Sequence, residues 1–362
     1  MPGKTARSSN LELLRILCML LIIGDHLTGQ GGIADYTTLP SSFAFCLIGC
    51  GSRIACSVFI LIGGWFLCEQ QYKTRRPLSL WLSLWLYTVP VTLLCRLDGL
   101  DVSLGALRWA LFPASTRQLW FISDYLLLLL CVPLLNRLLH GLPRAAHRGV
   151  LAVLALPLLV YPTLFAENGL TGDTAWMFLY EYLLIAYLRR YPDNRLTRLL
   201  QRRCAALLLG LGLPLVNTAV RAVLEMRGLT DGKAFQYIAY YRTALGALPN
   251  LLAALALFYL FKGLSLGSVR WINALSGTTL GVYILHQIPA FRGFLWNGIL
   301  QAQAHHGSVG YTLFAVAAVF LGCAAVDAAR TALVTRPLEK TKLFRTLCEK
   351  GDALAAKITA DD

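Results

Sequence analysis

At 362 residues the chain is long enough for two soluble domains, but its composition excludes them. Hydrophobic residues make up 57% and charged residues 14%, against about 25% charged in a typical soluble domain, and the mean hydropathy is +0.59. A net charge of +14, from 33 Lys and Arg against 19 Asp and Glu, would suggest nucleic acid in a soluble protein. Here no motif interleaves those charges with aromatics, and they read as the basic loops that orient a polytopic membrane protein.

A spanning helix needs about 20 mostly apolar residues. Ten stretches meet or approach that length: about 11–28, 43–67, 78–95, 119–139, 149–166, 173–188, 204–224, 243–261, 271–292 and 309–333. The first carries Glu12 and Arg15 and ends without a small-x-small cleavage site, so it is expected to be a retained helix and not a signal peptide. Placing the N-terminus in the cytoplasm puts about 23 Lys and Arg inside, beginning with Lys4 and Arg7, against about 7 outside. The expectation is an all-α bundle of about ten transmembrane helices with both termini cytoplasmic. Residues 1–345 would form the membrane domain and 346–362 a cytoplasmic tail. The longest outer connection, 96–118, has room for an interfacial helix at Leu104–Phe112. Most of the ten Cys lie in apolar runs, with no CxxC and no Cys/His cluster, so neither a metal site nor a disulfide framework is expected.

Ionisable side chains at membrane depth normally face a cavity or a partner. Arg15, Arg53 and Arg221 remain within spans, as do Asp25, Asp124, Glu181 and Asp327. Arg15 and His26 are eleven residues apart, within about 20° of three whole helical turns, so they share a face about 16 Å apart along the axis. Glu12 precedes Arg15 by one turn on that face and can pair with it. His286, in Gly281-Val-Tyr283-Ile-Leu-His286, lies about as far along the ninth span as His26 along the first. Both imidazoles therefore fall at one depth, where two neutral rings can form an acid/base site; the plainer alternative is two separately hydrogen-bonded His. Asp327 and Arg330 read as a structural pair, and Glu181 as a cavity group. Lys73, Arg75 and Arg76, at the start of the third span, form either a membrane anchor or a clamp for the phosphates of a nucleotide-bearing cofactor.

Four segments together resemble the acyltransferase-3 family of bacterial integral membrane acyltransferases. They are Glu12-Leu-Leu-Arg15 with His26, the Ser57–Leu67 run with Gly63 and Gly64, Leu119-Trp-Phe-Ile-Ser-Asp-Tyr125, and Gly281-Val-Tyr283-Ile-Leu-His286. The resemblance implies transfer of an acyl group, usually acetyl from acetyl-CoA, to a sugar hydroxyl at the bacterial inner membrane. The acceptor would be a cell-surface glycan or lipid-linked sugar. His26 would take the family's essential His role and Arg15 its partner role. His286, Tyr125 or Tyr283 would donate to the oxyanion, and acetyl-CoA would dock at Lys73, Arg75 and Arg76. Two departures stand out: the family's Arg-x-x-Arg near the third helix is met only by Lys73-x-x-Arg76, and Ser57 and Gly63 stand where many members have Asp and Ser. Membrane lipids are the expected surroundings, no metal or nucleic acid is expected, and the oligomeric state is open. A flippase for a lipid-linked saccharide is the rival reading, lacking only an internal repeat.

Overall fold

In hydrocarbon every backbone N–H and C=O must be satisfied within the segment, which favours helices, and apolar runs separated by short polar loops supply them here. The computed structural model describes residues 8–172 and 174–359, and among them there is helix and no strand. The main elements are α1 (Ser9–Gln30), α2 (Leu39–Leu67), α3 (Arg75–Leu97), α4 (Leu104–Leu111) and α5 (Trp120–Gly141). They continue as α6 (Arg144–Phe165), α7 (Thr174–Arg190), α8 (Arg203–Met226), α9 (Lys233–Thr243) and α10 (Leu248–Lys262). The chain ends in α11 (Arg270–Ser276), α12 (Thr279–Gln287), α13 (Val309–Glu339) and α14 (Lys342–Thr359).

Six of these, α2, α3, α5, α6, α8 and α13, are long and apolar enough to cross a membrane. The other four expected spans are helical but depart from that pattern. α1 carries Glu12, Arg15, Asp25 and His26, α7 and α10 have 17 and 15 residues, and the 270–287 segment breaks between α11 and α12. In α1 the departure reflects polar residues that find partners in neighbouring helices, Glu12 with Ser276 and Asp25 with Ser52, whereas α7 and α10 differ by length. The expected interfacial helix is α4, capped by Ser103, whose Oγ accepts from the Ala106 N–H at 3.1 Å.

α2 is the central post, mostly buried, with α1, α7, α8 and α10 packed around it. Close approach is possible because small residues stand at the crossings. A Cβ on Gly24 of α1 would lie 2.8 Å from Ile48, and one on Gly64 of α2 would lie 2.7 Å from Ile185 of α7. Ile23, Leu27, Val58 and Leu61 fill the interior without solvent exposure, whereas Leu134, Val153, Leu208, Leu313 and Leu321 stand exposed on the outer surface, as apolar side chains do where lipid is the solvent.

Loop contacts define two ends of the bundle. At one, the Ser9 N–H donates to Gly267 O (2.8 Å) and the Asn10 amide to Lys262 O (3.1 Å). Lys262 and Arg189 lie over the Trp65 ring, and Arg190 donates to Leu139 O. At the other end, the Gly307 N–H donates to Ile33 O (2.8 Å). Lys262, Arg189 and Arg190, all expected inside, lie together at the Ser9 end, while Lys4 and Arg7 lie outside the described residues. α14 docks at that same end: Asp352 accepts from the Thr74 N–H (2.6 Å) and Arg137 donates to Ile358 O (2.8 Å). Position 345, the expected end of the membrane domain, falls inside α14.

Candidate active site

The shared face of α1 meets α11 and α12, and the polar residues of all three helices converge there. Near the Ser9 end, Arg15 Nη1 donates to both carboxylate oxygens of Glu12 (3.2 and 3.1 Å), and Ser276 of α11 donates to the same carboxylate. Glu12 is buried, so Arg15 is held by a desolvated counter-ion and does not reach out to headgroups. It lines a cavity of about 350 Å³ together with Tyr125, Gly63 and Tyr283. Gly63 matters for Tyr125, because a Cβ there would sit 3.0 Å from the Tyr125 hydroxyl.

Three turns further along, His26 lines a second cavity of about 410 Å³ toward the Gln30 end. Ile22 and Tyr283 border both cavities and separate them. The two imidazoles expected at one depth are in contact: His26 Nδ1 lies 2.9 Å from His286 Nε2. His286 is fully buried, and its Nδ1 lies 2.5 Å from the Val282 carbonyl, one turn back in α12. A carbonyl only accepts, so His286 Nδ1 carries the proton and His286 Nε2 is the bare nitrogen. His26 Nδ1 must then be the donor between the rings, which leaves His26 Nε2 unprotonated on a half-buried side chain that faces the cavity. The order carbonyl, His286, His26 therefore fixes a tautomer by hydrogen bonding alone, as a carboxylate does in hydrolase triads. It also makes His286 Nε2 an acceptor, which is not the geometry of an oxyanion donor. The Tyr283 ring packs 6.2 Å from His26 and 6.0 Å from His286.

Sequence reasoning marked Asp25 and Arg53 as charges within spans but passed over Gln30, Gln287 and Arg292, which complete this cavity. Gln30, one turn beyond His26, and Gln287, next to His286, exchange amide hydrogen bonds at 3.1 and 3.2 Å, with Trp296 Nε1 donating to Gln30 (3.2 Å). Asp25 accepts from Ser52 (2.9 Å), and Arg53 and Arg292 also line the wall. Arg53 inside a span and Gln30 four residues after His26 were the available signals.

The basic cluster at the start of α3 is not brought to one place. Lys73 borders a cavity of about 1060 Å³ with Asn136, Arg137 and His140. Arg75 turns away, paired with Glu339 at 2.6 Å beside a separate cavity of about 400 Å³, and Arg76 donates to Gln70. Asp327 pairs with Arg330 (2.8 Å) and also accepts from Tyr87 (2.7 Å), as a structural role requires. Glu181 lines none of the described cavities. It is fully buried on α7 with the Ser57 hydroxyl of α2 beside it. Among the described residues no group of three His, Cys, Asp or Glu is placed to hold a metal ion.

Residues 8–328 match the family model of an acyltransferase domain, designated acyltransferase 3. No curated protein and no solved structure matches the chain.

Proposed function

The chain belongs to the acyltransferase-3 family, and on that premise we propose that this membrane acyltransferase moves an acetyl group from cytoplasmic acetyl-CoA to a hydroxyl of a cell-surface glycan or lipid-linked sugar. The observation that carries the reading is the His26–His286 contact, whose tautomer leaves a bare Nε2 on the wall of a cavity. The bundle would comprise ten membrane crossings in the bacterial inner membrane. Its Ser9 end, rich in Lys and Arg, faces the cytoplasm under the positive-inside rule.

Acetyl-CoA enters from that end. Its phosphates meet Lys73 and Arg137 at the cavity of about 1060 Å³, since Arg75 is already engaged by Glu339. Arg15 is about 16 Å from His26 along α1, too far to share reacting atoms with it. It orients the extended donor in the inner cavity, while the acceptor occupies the outer one. As the acceptor oxygen attacks the thioester carbon, its proton passes to His26 Nε2. The imidazolium so formed is held through its Nδ1–H by His286. Collapse of the tetrahedral intermediate breaks the C–S bond, and the CoA sulfur takes the proton back from His26. Tyr283, on the wall between the cavities, donates to the oxyanion; Tyr125 lies beside Arg15 on the donor side.

The test is thiol release from acetyl-CoA by purified protein in lipid nanodiscs, followed with and without a sugar acceptor. His26→Ala is expected to lower transfer about 10²- to 10⁴-fold while leaving the unfolding temperature near that of the wild type. A folded His26→Ala protein that transfers at the wild-type rate refutes the reading.

A further inference from the structure

The cavity beside His26 carries more positive charge than a base needs, and this charge bears on what the cavity holds. Arg53 projects from α2 and Arg292 from the segment after α12, and both line the cavity. Among the described residues neither guanidinium makes an ion pair or hydrogen bond; Arg53 lies over the Trp120 ring, 5.9 Å from its centroid. The one carboxylate on the wall is Asp25, which accepts from Ser52. Two guanidiniums thus share the wall with one carboxylate; Arg292 is exposed, and Arg53, half-buried within a span, is costly to hold there unless a partner arrives. A further group awaits a ligand: the side-chain oxygen of Gln118 is buried on the same wall and finds no donor.

These groups differ in what they recognise. Guanidinium forks bind carboxylates and phosphates through paired charge-assisted hydrogen bonds. A bare amide oxygen needs a donor, which a hydroxyl supplies. His26 Nε2 needs a hydroxyl proton as well. A cavity of about 410 Å³ falls in the range that takes small-molecule ligands, roughly 300–1,000 Å³.

We propose that the acceptor is an anionic sugar, in which a carboxylate or phosphate docks on Arg53 and Arg292 while one hydroxyl reaches Gln118 and another presents its proton to His26. The assignment of the reacting hydroxyl rests on the acyl-transfer reading above; recognition of the anion does not. The charge excess therefore sets the class of substrate, and a neutral sugar leaves both guanidiniums unpaired.

The experiment measures binding first. Purified protein in nanodiscs is titrated calorimetrically with glucose, glucuronic acid and glucose 6-phosphate, which separate the neutral, carboxylate and phosphate cases. At least one anionic sugar is expected to bind about tenfold or more tightly than glucose, and the preference should shrink as salt is raised. Arg292→Gln, at an exposed position, is expected to cut the preference about tenfold without disturbing folding. Arg53→Gln should do the same, and Arg53→Lys should keep part of it. Equal binding of all three sugars, or binding of none, overturns the proposal. So does an anion preference that survives in the Arg53→Gln/Arg292→Gln double variant. Tight binding of adenosine 3′,5′-bisphosphate that depends on Arg53 overturns it too, because the cavity would then belong to the donor. Acetyl transfer to the preferred sugar is measured last: binding with the expected charge preference but no transfer contradicts the catalytic reading and leaves the anion site standing.

Discussion

Replacing His286 with Phe tests how the imidazole pair works. Phe keeps a ring in a fully buried position but removes Nε2, the atom placed to accept the His26 Nδ1 proton at 2.9 Å. Either that N–H is left without a partner, at about 1–3 kcal/mol, or the ring shifts its proton to Nε2 and loses the base. At 1.36 kcal/mol per factor of ten, acyl transfer is expected to fall roughly 5- to 150-fold. The loss is smaller than the roughly 10⁴-fold seen when the orienting group of a hydrolase triad is changed, because that group is a charged carboxylate and His286 is neutral. The assay is thiol release from acetyl-CoA for the wild type, His286→Phe, His26→Ala and the double variant. If His286 acts only through His26, the double variant is no slower than His26→Ala, since residues working as one unit are non-additive. His286→Gln, whose amide oxygen can accept a proton, should recover part of the rate. A double variant slower than His26→Ala by the whole His286→Phe factor would falsify the positioning role and return His286 to the oxyanion.

Four other outcomes are expected. Gly281→Ala places a methyl group on the Asp327 carboxylate and should lower stability by about 1–3 kcal/mol, read as a fall in unfolding temperature; an unchanged value contradicts the close packing of α12 on α13. Glu181→Met removes a fully buried carboxyl that has only the Ser57 hydroxyl beside it and should stabilise the protein by about 1–3 kcal/mol; destabilisation would show that the Ser57 contact outweighs the cost of burying the acid. Lys73→Ala and Arg137→Ala should each weaken adenosine 3′,5′-bisphosphate binding about tenfold and reduce its salt dependence, with Arg75→Ala nearly silent; the reverse order moves the donor site to the Arg75 cavity. Cysteines placed at Asp35 and the exposed Glu167 should label from outside, and those at Thr74 and Asn194 only after permeabilisation, so labelling of position 194 in intact cells reverses the orientation.

Much of this was legible in sequence because two periodicities suffice. Apolar run length located the helices, and the 3.6-residue turn put Glu12, Arg15 and His26 on one face. Matching the depth of His26 and His286 anticipated their proximity, since both helices run from the Ser9 end. What depth cannot supply is rotation, so the bond through Val282, and with it the acceptor role of His286, needed coordinates. The Lys73–Arg76 cluster looked like one clamp because its residues are adjacent in sequence, yet side chains at the start of a helix fan around its axis. Arg75 met Glu339, more than 260 residues away, a pairing no local pattern announces. Glu181 was expected to face a cavity for want of a local partner, but Gly64 lets α7 press against α2 and close the space around it.

The wall formed by Ile22 and Tyr283 has an electrical consequence. With water in the two cavities that flank it, the insulating layer at that level would be thinner than the bundle itself. A membrane potential falls across whatever low-dielectric material separates the two aqueous phases, so the field would be concentrated there and not spread over the usual hydrocarbon thickness of about 30 Å. An elementary charge carried through the whole drop is worth about 2.3 kcal/mol per 100 mV. On the proposed route, the imidazolium formed on His26 in each turnover appears at the edge of that layer. The turnover rate would then respond to the energised state of the membrane, although the enzyme moves no ion across it.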